Sequence, residues 1–109
     1  MIVVFMTQDL DDPNLWSGTS GMIQSTQLDD NSRITPNWEP PAGSTFPSAS
    51  PTLTSCTPPS GATYTVTGVI TGTPTTGRVP VQVTFAPGTG AQLPTTLAVS
   101  VTLNFGSRS

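Results

Sequence analysis

Two clusters of carboxylates are the residues whose types and spacing come nearest to chemistry. Asp9, Asp11 and Asp12 offer oxygens at short intervals, as a calcium loop does. Pro13 stands where a third ligand would fall, however, and neither the turn glycine nor the closing glutamate follows. The second cluster, Asp29-Asp30-Asn31-Ser32, has the composition of an Asx turn. Cys56 is the only cysteine, so no disulfide forms within the chain. No Lys, Arg or His neighbours it to lower its pKa, and it reads as a small residue in a reducing compartment. Histidine is absent, which excludes His-dependent triads and the commonest zinc sites. Gly88-Thr89-Gly90 opens like a dinucleotide fingerprint, but Leu93 occupies the place of the third glycine. Gly18-Thr19-Ser20-Gly21 is one residue out of register for a nucleophile elbow. The expectation is a protein that is not an enzyme and needs no cofactor or metal.

The elements beneath these residues show most plainly after Ala62, where apolar and polar residues alternate three times. Tyr64, Val66 and Ile70 share one face of the first run; Val79, Val81, Val83 and Phe85 share one face of the second. Leu97, Val99, Val101, Leu103 and Phe105 do so in the third. A period of two is that of a strand with one buried face. Gly72–Gly77 and Pro87–Pro94 are short connections rich in Gly and Pro, which suits antiparallel neighbours. Pro80 donates no ladder bond, which predicts an edge place for the second run. Gly68 predicts a bulge or a close approach of another backbone. The fold class expected is all-β: a small antiparallel, sandwich-like module over residues of about 62–105, with a long irregular N-terminal arm.

Residues 1–60 are expected as that arm and its linker, and 61–109 as the β module. Met1 to Met6 is too short and too unlike a leader in its flanks to be a signal peptide or membrane span. It reads as a buried strand added to a sheet of this chain or a neighbour's. Pro40 through Pro59 has the chemistry of an extended linker. Trp16 and Trp38 have two readings: anchors in pockets on a partner, or a lid folded over the chain's own sheet. With Phe5 and Tyr64 they form the candidate partner-binding set.

Charge is sparse and segregated. Charged residues make up 8% of the 109, against roughly a quarter in ordinary domains. All six acids lie at or before Glu39, and the net charge is −3. Three scattered arginines form no basic stripe, so nucleic acid is excluded as a partner. The Thr-rich faces lack charged gatekeepers, and such edges are kept from aggregating by being covered.

In type, the chain resembles the bacteriophage capsid decoration, or cement, proteins. The shared features are a short chain, an arm with aromatic anchors, a Thr/Gly/Pro-rich β module and no catalytic site. The resemblance implies a structural virion protein, assembled in the host cytoplasm, that clamps neighbouring subunits of the major capsid protein or a similar lattice. It implies a homo-oligomer, dimer or trimer, with neither nucleic acid nor membrane as partner. The alternatives are a bacterial surface or adhesin module and a carbohydrate-binding module that stacks sugars on Trp16, Trp38 or Tyr64.

Overall fold

The computed structural model describes residues 2–106. In chain order the strands are β1 (Val3–Phe5), β2 (Thr7–Gln8), β3 (Leu15–Thr19) and β4 (Ile23–Gln24), followed by a 3-10 turn at Ser25–Gln27. Then come β5 (Arg33–Ile34), β6 (Asn37–Glu39), β7 (Thr52–Thr57), β8 (Tyr64–Ile70), β9 (Val79–Pro87), β10 (Thr96–Leu97) and β11 (Ser100–Asn104). The fold is all-β, as the alternation predicts. Every pairing is antiparallel except that of β1 with β6.

β9 organises the first sheet. β8 lies along one edge, β5 and β6 lie along the other, and β1 lies beyond β6. The edge place expected for β9 is therefore replaced by a central one. Pro80 is tolerated because it meets β8 at its end: Thr71 N–H donates to Pro80 O at 2.9 Å, and the missing reciprocal bond falls at the last rung. Arg33 faces Thr84, Ile34 faces Val83, Asn37 faces Pro80 and Trp38 faces Val79. That single register makes β5 and β6 one strand, interrupted at Thr35-Pro36. It sets Pro36, which has no N–H to donate, opposite Val81. The Trp38 indole Nε1–H instead donates to the Val81 carbonyl over a long 3.4 Å.

The second sheet runs β2-β3-β11-β7, and the β4–β10 ribbon prolongs it past a one-residue slip. At the slip Ser20 is buried and tied twice to Val99: its N–H donates to Val99 O at 2.9 Å, and its Oγ accepts from Val99 N–H at 3.0 Å. Thus β9 and β11, expected as antiparallel neighbours, belong to different sheets. Both edges of β9 are already taken, and β11 finds its partners in β3 and β7.

The N-terminal sixty residues are likewise not laid out as a separate arm. They supply β1 through β7 to both sheets, so the boundary expected near residue 61 does not divide the sheets. Short strands of two to six residues carry too little alternation to be read as strands one by one. Of the linker expected over 40–60, residues 40–51 hold no strand and 52–57 form β7.

Two close approaches tie the sheets together. Residues 3–8 run from the first sheet into the second, with buried Met6 at the crossing. A Cβ at Gly18 would lie 3.0 Å from Phe5 O and 3.2 Å from Met6 Cγ, so glycine lets the crossing strand pass. On the opposite side, β7 lies against the inner face of β8. A Cβ at Gly68 would lie 2.9 Å from Cys56 Sγ and 3.0 Å from Leu53 Cδ2. The neighbour at Gly68 is thus a pair of side chains rather than a backbone. A bulge at Thr54, opposite Thr102, lets Leu53 and Cys56 point inward although they are three residues apart. The inner faces meet in one core that includes Val4, Trp16, Trp38, Val79, Val81, Val83, Phe85, Val101 and Leu103.

Candidate functional site

The acidic turns use their oxygens on their own backbone. Asp9 Oδ2 accepts from the N–H groups of Asp11 (2.9 Å) and Asp12 (3.0 Å), and Asp12 Oδ1 accepts from Asn14 N–H at 3.0 Å. The Asx turn expected at Asp29 is present. Its Oδ1 accepts from Asn31 N–H (2.8 Å) and Arg33 N–H (2.9 Å), and Ser32 turns the chain with φ 61°. Arg33 Nε stands 3.5 Å from Asp29 Oδ2, an ion pair too long for a good hydrogen bond. The bonds from the Arg33 and Asn31 backbones, with the Arg33 charge behind them, hold the Asp29 carboxyl below the usual carboxylate range. Among the described residues, no three of His, Cys, Asp and Glu are grouped to hold a metal ion. Burial pushes the Cys56 thiol above its ordinary pKa, which lowers its thiolate fraction.

The four candidate anchors separate. Trp16, Trp38 and Tyr64 lie in the chain's own core, with Trp38 fully buried. Tyr64 Oη accepts from Ala98 N–H at 2.9 Å and lies 3.2 Å from Ala98 O, linking the two halves of the third predicted run. Trp16 meets the ring of Phe46 edge-on at 5.1 Å, and Phe46 stacks on Phe105 at 4.9 Å. The tryptophans therefore close this chain's own core, the second of their two readings. Phe5 alone is open, 60% exposed on the outer face of the first sheet, with Val3 39% exposed on the same strand.

A different surface emerges from the pairing registers. On the outer face of the second sheet, Thr7, Ser17, Thr102 and Ser55 stand in one row across four strands. Thr19, Ser100 and Thr57 form the next row, in which the Thr19 Oγ1 and Ser100 Oγ hydroxyls share a 2.8 Å hydrogen bond. Leu15, Asn104 and Thr52 form the third. None of these ten residues is charged. Strands about 4.8 Å apart, with same-face residues about 6.7 Å apart along each, rule the face into a grid that is mostly hydroxyls, with Leu15 and Asn104 in its third row. The alternation along each strand hinted at polar faces, but which strands lie side by side is a property of the pairing.

One open cavity of about 270 Å³ lies between Pro47–Ser50 and the Thr73–Thr76 loop. Its walls are prolines, alanine, serines and threonines, with no titratable group. No described helix is long and apolar enough to cross a membrane. Comparison with protein-family models, with curated proteins and with solved structures finds no match.

Proposed function

We propose that the protein is a non-catalytic structural subunit, and specifically a virion component that decorates or cements a phage capsid. The observation that carries this reading is the uncharged hydroxyl grid on the second sheet. Asp9, whose N–H donates to Leu15 O at 2.8 Å, stands at the rim of the third row, and the rows inside it carry no charge. Covering those rows avoids the large desolvation penalty of buried ions, yet each hydroxyl must find a partner. Such a face suits a flat, regular surface that presents donors and acceptors, such as a lattice of capsid subunits. Contacts that are weak singly become secure when repeated over many copies, and binding only the assembled lattice stabilises it by mass action. In this reading the folded sheet makes the contact, in place of an extended arm, because Trp16 and Trp38 are committed to the core. The same burial weighs against sugar stacking on Trp16, Trp38 or Tyr64.

Mass spectrometry and immunogold labelling of particles from the natural source test the proposal. Many copies per particle are expected, and Thr102→Arg, which places a charge in the middle of the grid, should strip them off. Particles without the protein, with all of it in the soluble fraction, would overturn the reading.

A further inference from the structure

Residues 40–51 join β6 in the first sheet to β7 in the second across one end of the core. Four prolines and the exposed Ser44, Thr45, Ser48 and Ser50 give the segment no strand of its own. Among the described residues, its backbone is bonded to the rest of the molecule once, where Phe46 N–H donates to Thr76 O at 2.8 Å. The bond from Ser44 N–H to Pro41 O is internal to the segment. At its ends Pro40 and Pro51 are buried, and between them Phe46 is the one residue buried in the core.

The seat of Phe46 is aromatic and incompletely satisfied. Its ring fills the space between Trp16 and Phe105, while the Trp16 Nε1–H is buried with no acceptor among the described residues. A buried donor without a partner favours any state in which water reaches it. The cavity beside Pro47–Ser50 leaves the same segment loosely packed against the Thr73–Thr76 loop. Between its buried proline ends, closure thus rests on one ring and one backbone bond.

We infer that residues 40–51 form a strap that opens as a unit while both sheets stay folded, uncovering Trp16 and Phe105. The strap touches few of the bonds that define the sheets, so its opening resembles the low-energy local openings of exposed segments. Its prolines restrict the open chain, which keeps it near the closed path and favours reclosure. The device gives the molecule a concealed aromatic pair, independent of the hydroxyl grid.

Amide and indole hydrogen exchange on the intact wild-type protein reads the strap directly. The Phe46 amide should exchange about a hundredfold or more faster than those of Val83, paired with Ile34, and Val101, paired with Gly18. The Trp16 indole N–H should follow Phe46, while the Trp38 indole stays slow. Phe46→Ala should speed the Trp16 indole further and leave the Val83 and Val101 amides as protected as in the wild type. If Phe46 and Trp16 exchange only together with Val83 and Val101, the strap does not open alone and the inference fails. That outcome is read on the wild type, and stands even where Phe46→Ala does not fold.

Discussion

β9 and the 40–51 strap both bury aromatic rings, yet they are held in opposite ways. β9 has partners along both edges, and its inward Val79, Val81, Val83 and Phe85 are almost wholly buried. Among the described residues, the strap has one core residue and one backbone bond to its surroundings. The difference shows that burial of a side chain does not measure how firmly its backbone is fixed. Firmness comes from how many independent bonds must break together. β9 shares its bonds with several strands, while the strap shares one with a loop.

Substitutions at matched aromatic positions sharpen that contrast. Trp38→Ala, beside β9, should cost about 3–5 kcal/mol in urea unfolding, since the central sheet cannot close over the void. Trp38→Phe should cost only about 1 kcal/mol, mostly for the indole bond to Val81 O. Phe46→Ala should cost about 2 kcal/mol, below the usual range for a buried phenylalanine. Its loss is capped by the strap's own opening free energy, because the sheets remain folded with the strap open. An equal loss at the two sites would break the comparison.

The seam between β7 and β8 should fall between these extremes. Gly68→Ala drives a methyl into Cys56 Sγ and Leu53 Cδ2, and should cost about 1–3 kcal/mol. Adding Cys56→Ala removes the sulfur and should recover part of that loss, a coupling that a double-mutant cycle in urea would measure. Equal effects of Gly68→Ala with and without the sulfur would mean that the seam yields elsewhere.

The smallest effect belongs to the exposed Asp29 turn. Its folded carboxyl titrates below its unfolded value, so its contribution is present above the ordinary carboxylate range and is lost as pH falls through the folded value. The melting-temperature advantage of the wild type over Asp29→Asn should therefore shrink between about pH 6 and about pH 2. A constant difference would show that the charge plays no part in holding the turn.

How much of the fold is legible in the chain differs by strand length. The runs over 62–71 and 78–86 correspond closely to β8 and β9, and the residues assigned to their inner faces are the ones the core takes up. The run over 95–105 appears as β10 and β11, broken at Ala98-Val99, where Ser20 and the Tyr64 hydroxyl intervene. By contrast β2, β4 and β5 span two residues each, and two residues cannot display a period. Their strand character comes from the neighbours that pair with them. The candidate anchors divide similarly: aromatic type marks Trp16, Trp38 and Tyr64 as important, but not whether they face inward or outward. The chain shows the hydroxyl grid only as Thr-rich faces of single runs, not as rows across neighbouring strands.

The sequence by itself determined the all-β character, the inward faces of the long runs, the Asx turn at Asp29 and the absence of histidine chemistry. Each of these depends on neighbours within a few residues, which local sterics and side-chain alternation control. Only the tertiary structure decided that β9 is central, that β11 lies in the other sheet, that glycine is needed at position 18, that Cys56 and Leu53 are what crowd Gly68, and that Phe46 closes the end of the core. Those outcomes rest on contacts between residues far apart in the chain, where several partners satisfy the same local pattern. Packing the whole set together selects one of them.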